Sequence, residues 1–162
     1  MTNLENQGLG SRLRRLLDLL DGDLDAIYAE EAPGYRPRYT PVMKVLADGK
    51  PYAIRDLARI CRVSHSAASQ TVSRMAVEGF VNHTAGADAR EREIRLTANG
   101  EALLPRLRER WETADRAALG LEAEIGLPLA EALARAIAAL EARPFRDRIR
   151  DSARSGDGPG SS

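Results

Sequence analysis

The fold is decided by residues 54–79, which read IRDLARICRVSHSAASQTVSRMAVEG. The first part places apolar residues at the i, i+3, i+4, i+7 spacing of one helix face, namely Ile54, Leu57, Ala58 and Cys61. Ser64 then stands where a second helix needs an N-cap, since its hydroxyl can accept a hydrogen bond from a free amide of the first turn. The stretch therefore predicts two helices joined by a tight turn at residues 62–63.

The second predicted helix has two distinct faces. Ala68, Val72 and Met75 fall on one side, which we expect to face the core. The opposite side carries short hydrogen-bonding residues and one cation: Ser66, Ser69, Gln70, Ser73 and Arg74. Such a face suits a helix that lies in the major groove of duplex DNA, although a helix that merely faces water has a similar composition.

The residues after Gly79 predict a β-hairpin. Residues 80–83 have the composition of a short strand, residues 84–87 that of a turn, and residues 93–96 that of a returning strand. Between the strands lie Asp88, Arg90 and Arg92. A cationic hairpin tip suits the narrow and strongly negative minor groove. A helix-turn-helix followed by such a hairpin is the layout of a winged helix.

With these features the chain resembles the MarR family of winged-helix transcription regulators. The matching residues are Leu57-Ala58, Val63-Ser64, Glu78-Gly79-Phe80-Val81, Asp88-x-Arg90 and Leu96-Thr97-x-x-Gly100. The resemblance implies that Arg90 enters the minor groove and that Asp88 braces it. The chain departs from the family pattern at Ala85-Gly86, where the family often has Asp-Pro. Its recognition helix also holds a single arginine, Arg74, where the family often has more.

The flanking segments predict long amphipathic helices, so we expect a mainly α chain whose winged helix-turn-helix lobe (residues 34–100) carries a two-stranded wing. An N-terminal dimerisation helix (1–33) and C-terminal dimerisation helices (101–151) flank the lobe, and a Ser-, Gly- and Asp-rich tail (152–162) is expected to be disordered. Leucine stripes on the flanking helices favour a homodimer in which they interleave. The alternative is that they pack on the lobe of their own chain.

Charge and composition fit a double-stranded DNA partner. The formal net charge is zero, but residues 34–100 hold eleven Arg and Lys against six Asp and Glu, a local net of +5. With a single cysteine no intrachain disulfide can form, so a reducing cytoplasm is the expected setting. The sequence has no apolar run of membrane-spanning length and no signal peptide, so no membrane partner is expected.

Eleven residues are expected to form the DNA interface: Ser64, His65, Ser66, Ser69, Gln70, Thr71, Ser73, Arg74, Asp88, Arg90 and Arg92. No cofactor is expected. No metal site is expected either, because neither His65 nor His83 has a carboxylate or cysteine at ligand spacing. No nucleophile with its base can be assembled, so an enzyme is not expected. We expect Cys61 to be a buried structural thiol rather than a redox sensor.

The resemblance also implies a small aromatic or anionic effector. Tyr28, Tyr39 and Trp111 are the expected contacts, with Tyr35, Arg36 and Arg38 nearby. The competing interpretation is that Tyr28 and Trp111 are core or interface anchors. The leading hypothesis is a dimeric, sequence-specific transcription regulator that represses and is released by an effector. The alternative is a winged-helix module that docks on protein without sequence-specific DNA binding.

Overall fold

A computed structural model describes residues 8–85 and 92–156. The chain forms two compact units, one up to Glu109 and one from Arg110 onward. Among the described residues there are seven α-helices and three β-strands. The helices are α1 (Leu9–Glu31), α2 (Thr40–Leu46), α3 (Ile54–Ile60), α4 (His65–Val77), α5 (Ala98–Ile125), α6 (Leu129–Ala142) and α7 (Phe145–Gly156). The strands are β1 (Tyr52–Ala53), β2 (Val81–Ala85) and β3 (Arg92–Leu96), and a 3-10 turn over Pro37–Tyr39 precedes α2.

The wing is part of a three-stranded antiparallel sheet, in the order β1-β3-β2. Ile94 in the central strand pairs with Tyr52 on one side and His83 on the other. The predicted two-stranded wing is therefore extended by β1, which the sequence analysis missed because two residues carry no alternation pattern. Thr84 and Ala85, expected in the turn, belong to β2 and pair with Glu93 and Arg92.

The first unit has a continuous apolar core. Its buried residues come from α1 to α5, the connecting loops and the sheet: Tyr28, Ala32, Tyr35, Tyr39, Val42, Met43, Leu46, Leu57, Ala58, Ala68, Val72, Met75, Phe80, Val81, Ile94, Leu96 and Leu107. The predicted inner face of α4 is confirmed, since all three of its expected core residues are buried. This burial holds α3 and α4 against the sheet and fixes which side of α4 faces outward.

The two helices of the helix-turn-helix end in the same way. The amide of Val63 donates to the Ala58 carbonyl (3.0 Å) beyond α3, and the amide of Phe80 donates to the Met75 carbonyl (2.9 Å) beyond α4. Each pattern closes a helix with one left-handed residue, which is usually glycine. Gly79 fills this position after α4 with φ +78°, whereas Arg62 fills it after α3 with φ +53°.

Thr97 joins the end of α4 to the start of α5. Its hydroxyl donates to the Gly79 carbonyl (2.6 Å) and accepts from the Gly100 amide (3.1 Å), so it caps α5. Its own amide donates to the Phe80 carbonyl (3.0 Å). Gly100 packs so closely here that an added Cβ would lie 2.2 Å from the Phe80 carbonyl oxygen. We call this cluster, consisting of Gly79, Phe80, Thr97 and Gly100, the Thr97 junction.

Thr40 is the first residue of α2, and its hydroxyl lies 2.9 Å from the Tyr35 hydroxyl. The helix α7 extends beyond residue 151, where the sequence analysis expected the C-terminal helices to end. Since α7 reaches Gly156, residues 152–156 are helical and not part of a disordered tail; the remaining tail, from residue 157, lies outside the described residues.

The second unit is held together by polar contacts at its helix ends. The Glu122 carboxylate accepts from the Ala130 amide (2.7 Å) and so caps α6. Arg148 in α7 donates to the Ala139 carbonyl near the end of α6 (2.9 Å), and Arg143 forms an ion pair with Asp151. Of the described helices in either unit, none is long and apolar enough to span a membrane.

Large apolar side chains are exposed along the flanking helices. In α1 they are Leu9, Leu13, Leu17, Leu19, Leu20 and Ile27, and from the last turns of α5 onward they are Leu119, Ile125, Leu127, Ile137, Leu140, Phe145 and Ile149. Four of the α1 residues, Leu13, Leu17, Leu20 and Ile27, lie on one side of the helix and form an apolar stripe. Apolar stripes of this extent are typical of surfaces that are covered in an assembly.

We expect Gly100→Ala to destabilise the protein by about 1–3 kcal/mol, because the methyl group would collide with backbone at the Thr97 junction. Gly22→Ala is the matched control: Gly22 lies in α1 with no atom within 4 Å of an added Cβ. Replacing a helical glycine there should stabilise by up to about 1 kcal/mol. Urea unfolding of both variants measures the difference, and equal midpoints for wild type and Gly100→Ala would contradict the close packing.

Candidate nucleic-acid interface

The outer face of α4 carries most of the predicted contacts. Ser64, His65, Ser66, Gln70, Ser73 and Arg74 are exposed, and Ser69 and Thr71 are half-buried. Apart from Ser64, which precedes the helix, these residues lie on α4, and Ser66, Gln70 and Ser73 face away from the buried side chains that anchor it. A face of hydroxyl, amide and guanidinium groups can donate to and accept from base edges and phosphates.

Ser64 has a structural role in this face. Its hydroxyl accepts from the Ala67 amide at 3.1 Å, which confirms the predicted N-cap of α4. The cap orders the first turn, where the remaining amides point out of the helix end and favour an anion. His65 and Ser66, the next two residues, are exposed beside this end. The geometry suits the approach of a phosphate to the start of α4.

The sequence analysis missed a second group of cations. Arg55, Arg59 and Arg62 are exposed on α3 and the turn that follows it. The spacing of four residues, visible in the sequence, places Arg55 and Arg59 on one side of α3, and Arg62 lies in the turn beyond the end of that helix. Arg59 lies 3.4 Å from Asp56, a surface pair that screening makes weak. We call these three residues the α3 arginine stripe.

Part of the predicted wing lies outside the described residues. This applies to Asp88 and Arg90, whose assigned roles stay predictions. Arg92 is the first residue of β3 and its backbone pairs with Ala85. On the described strands, Arg95 is exposed and pairs with Asn82 on β2.

The tyrosines expected at an effector site form a packed aromatic cluster. Tyr28 lies against Tyr35 with ring centroids 4.7 Å apart, and Tyr35 lies against Tyr39 at 5.9 Å. Phe80, which directly follows α4, lies 6.1 Å from Tyr35 and 6.5 Å from Tyr39. All four rings are buried. The arrangement agrees with the interpretation of Tyr28 as a core anchor, and it places Tyr39 in the same role.

Cations lie at the edge of the aromatic cluster. The Arg38 guanidinium is 5.5 Å from the centroid of the Tyr39 ring, and Arg36 lies 3.5 Å from Asp25 of α1. Trp111, the third residue expected to contact an effector, is buried and lies in the second unit. The structure thus brings Tyr28 and Tyr39 together with Tyr35 and Phe80.

The Cys61 side chain is half-buried at the end of α3, where the sequence analysis expected full burial. Partial burial raises the pKa of the Cys61 thiol, because a thiolate is poorly solvated there. A raised thiol pKa lowers the fraction of the reactive thiolate at neutral pH. Within residues 8–85 and 92–156, no three His, Cys, Asp or Glu side chains are grouped as a metal site requires.

Comparison with known proteins places this geometry in a fold family. No protein-family model matches the chain, and no curated protein matches it significantly in sequence. Solved structures do match. The M. tuberculosis transcriptional regulator MOSR, solved in complex with DNA, superposes with a TM-score of 0.68 at 23% identity, over 85% of this chain and 99% of that one. A MarR family transcriptional regulator from Silicibacter pomeroyi gives a TM-score of 0.60 at 23% identity, over 82% and 94%.

A third match is Bordetella bronchiseptica BpsR, from a study of the regulation of its DNA binding by 6-hydroxynicotinic acid. It gives a TM-score of 0.58 at 19% identity, over 89% of this chain and 98% of that one. At these identities the likeness concerns the fold. The chain has the winged-helix fold of the MarR-family regulators, as the resemblance in sequence implied.

We expect Cys61 to react slowly with iodoacetamide, with a pH midpoint above that of the same thiol in the urea-unfolded chain. The reason is the raised pKa of the folded thiol. Alkylation rates followed by mass spectrometry between pH 6 and 10 give both midpoints. A folded midpoint at or below the unfolded one would indicate an activated cysteine instead of a structural thiol.

Proposed function

We propose that this protein is a dimeric, sequence-specific regulator of transcription that binds double-stranded DNA and acts as a repressor released by a small effector. The observation that carries the proposal is the exposed polar face of α4, anchored from behind by Ala68, Val72 and Met75. MOSR, which shares the fold, is a transcriptional regulator solved in complex with DNA, and BpsR, which also shares it, binds DNA under regulation by 6-hydroxynicotinic acid. The proposed setting is the cytoplasm, and the proposal involves no catalysis.

In the proposed complex α4 lies in the major groove. Gln70 and Ser66 are exposed on the outer face, where they can reach base edges. Gln can bond an adenine through two atoms, and serine can donate to or accept from several bases. Ser69, Ser73, Thr71 and Arg74 complete this face, and His65 is placed beside the phosphates at the start of the helix. Sequence discrimination would thus come mainly from neutral polar side chains.

The α3 arginine stripe supplies the phosphate contacts that this neutral face lacks. In a helix-turn-helix the first helix crosses the DNA backbone while the second enters the groove. Arg55, Arg59 and Arg62 belong to that first helix and its turn, and all three are exposed. Contacts to phosphates fix the register of a protein on DNA without reading its sequence.

The wing provides the third contact in this proposal. Following the family resemblance, Arg90 enters the minor groove, Asp88 orients it, and Arg92 adds positive charge at the same tip. An arginine in a narrow minor groove responds to electrostatic potential and groove width more than to base identity. We therefore assign recognition of DNA shape to the wing and recognition of base sequence to α4.

The exposed apolar stripes of α1 and of the second unit support a homodimer. Covering these stripes in a two-fold assembly would remove the apolar surface from water and double the DNA contacts. Two recognition helices related by a two-fold axis suit half-sites about one helical turn apart. An operator with inverted repeats follows from this symmetry.

The aromatic cluster is the proposed link to an effector. Tyr28, Tyr39 and Trp111 are the proposed contacts for an aromatic or anionic molecule, and Arg38 supplies a cation beside Tyr39. Because Phe80 belongs to this cluster and directly follows α4, a ligand that separates the tyrosines would shift the end of the recognition helix. The effector would then change the distance between the two recognition helices of the dimer.

One observation favours the second candidate, a protein-docking module. Val77, at the end of α4, is 86% exposed, and Ile60 and Val63 are exposed around the end of α3. Apolar anchors are typical of protein-binding surfaces. The polar composition of the remaining α4 face supports DNA as the partner instead. If the Val77→Asp variant no longer binds a partner that the Gln70→Ala variant still binds, the result would favour the protein-docking module.

We expect Gln70→Ala to weaken binding to an operator selected from random duplexes by about 5- to 150-fold, the equivalent of about 1–3 kcal/mol for one base contact. Binding to random duplex should change little, because Gln70 carries no charge. Titration of both duplexes with the purified variant measures the two effects. If the ratio of the affinity for the operator to the affinity for random duplex is unchanged, Gln70 does not take part in recognising the base sequence.

For Arg59→Ala we expect similar losses on operator and random duplex, with the salt slope reduced by about one unit if one phosphate contact is lost. Arg135→Ala is the matched control, since Arg135 is an exposed cation on α6 that pairs only with neighbouring Glu131 among the ion pairs described. Titrations at several salt concentrations give the slope. If Arg59→Ala behaves like Arg135→Ala, the α3 arginine stripe does not contact phosphate.

A further inference from the structure

Val77, the last residue of α4, is an apolar side chain on an otherwise polar surface. At about 100° per residue, Ser66, Gln70, Ser73 and Val77 fall within an arc of about 60°, on the side opposite the buried side chains of α4. We call these four residues the outer ridge. Three of them are polar, whereas Val77 is 86% exposed. Within residues 8–85 and 92–156, no large apolar side chain is more exposed than this one.

The last turn of α4 holds Val77 in a defined position. The Glu78 amide donates to the Arg74 carbonyl (3.0 Å), which continues the helical hydrogen bonds past Val77. The Phe80 amide then donates to the Met75 carbonyl (2.9 Å), and the Phe80 ring is buried in the core. A valine within a helix has one strongly preferred χ1 rotamer. Val77 therefore presents its two methyl groups to solvent in a fixed orientation.

The charges beside Val77 suit the approach of a polyanion. An added Cβ on Gly34 would lie 2.5 Å from the Glu78 Oε2 atom, so the Glu78 carboxylate is turned toward the loop that follows α1. Arg74, three residues before Val77, is exposed and lies next to it on the helix surface. The nearest cation thus shares the outer face with Val77, whereas the neighbouring carboxylate lies against the protein's own chain.

The surroundings of Val77 favour DNA over a protein as its partner. Protein-binding hot spots are clusters of large anchors in one pocket. The other exposed apolar residues of the helix-turn-helix, Ile60 and Val63, flank the turn at the opposite end of α4, which is about 18 Å long at 1.5 Å per residue. A single apolar group among hydroxyl and amide groups instead matches the major groove. The apolar group that DNA displays there is the C5-methyl group of thymine.

We infer that Val77 packs against the C5-methyl group of a thymine in each half-site of the operator. The inference rests on the proposed function and adds an apolar contact to the polar ones on the outer ridge. Gln70 and Val77 are seven residues apart, a rise of about 10.5 Å along α4, and successive base pairs are about 3.4 Å apart. The thymine should therefore lie about three base pairs from the base that Gln70 contacts. Since valine cannot form hydrogen bonds, the contact recognises the methyl group itself.

The test removes single methyl groups from an operator selected from random duplexes. Each thymine of a half-site is replaced in turn by deoxyuridine, which lacks only the C5-methyl group, and the full chain is titrated with each duplex. At one position the wild type should lose about fourfold in affinity when one half-site is changed, and about 15-fold when both are changed, as expected for one buried methyl group per half-site. The Val77→Ala variant should bind the thymine and uracil duplexes with equal affinity, because its side chain no longer reaches the methyl group.

Two controls separate the methyl contact from other effects. Gln70→Ala changes a neighbour on the same ridge and should keep the fourfold loss at the sensitive thymine, because independent contacts contribute additively. In a duplex that carries a C·G pair at the sensitive position, the wild type should bind 5-methylcytosine more tightly than cytosine by about the same factor. This comparison distinguishes the methyl group from the O4 atom of thymine. Circular dichroism establishes that both variants stay helical.

The outcomes separate this inference from the proposed function. A half-site in which no thymine is sensitive to the loss of its methyl group overturns the inference, and so does a Val77→Ala variant that stays as sensitive as the wild type. Either result leaves the proposed function intact, provided that the wild type still binds the operator more tightly than random duplex. A wild type without that preference overturns both.

Discussion

Three hydrogen bonds at Thr97 join the end of α4 to the residue before β2 and to the start of α5. The hydroxyl binds the Gly79 carbonyl, the amide binds the Phe80 carbonyl, and the Gly100 amide returns to the hydroxyl. The side chain and the amide of this one residue thereby satisfy backbone groups at the end of α4, before β2, and at the start of α5. These groups would otherwise be left without partners at two helix ends.

The junction gives the proposed regulation a physical basis. The helix α5 begins at the junction and continues into the second unit, which carries most of the exposed apolar surface outside α1. Phe80 belongs both to the junction and to the aromatic cluster with Tyr35 and Tyr39. Because Gly100 leaves no space beside the Phe80 carbonyl, α4 and α5 cannot slide past each other here without breaking hydrogen bonds. A displacement of the aromatic cluster would therefore move the end of α4 and the start of α5 together.

Much of the fold follows from the sequence because its signals are local. The spacing of apolar residues predicts a long N-terminal helix within residues 1–33 and the buried side of α4, and Ser64 marks the start of α4. The fold family follows from short motifs such as Leu96-Thr97-x-x-Gly100, whose members meet at the junction. These features depend on residues close together in the chain, so periodicity and capping chemistry suffice to predict them.

The missed features depend on contacts that are distant in sequence or on departures from local rules. The strand β1 consists of two residues and forms because Tyr52 pairs with Ile94, which lies forty-two positions later in the chain. Helix α7 follows a proline that ordinarily ends a helix, and Arg143 and Arg148 tie it back to α6. The exposed residues of α4 that we propose to face DNA were chosen from their polarity, and their role stays a prediction. The α3 arginine stripe was overlooked because its spacing was considered only for apolar residues.

The backbone conformation of Arg62 makes this member of the α3 arginine stripe costly for the stability of the fold. A left-handed backbone costs an ordinary residue about 1–2 kcal/mol, so stability alone favours glycine or asparagine after α3, just as Gly79 follows α4. The chain carries an exposed arginine there, at the point where the proposed complex brings the protein to the phosphates. At Arg62, the stability of the free protein and the proposed binding to DNA phosphates therefore favour different residues. Variants selected for thermal stability would tend to replace Arg62 with an uncharged residue. They would then lose part of the proposed affinity for DNA.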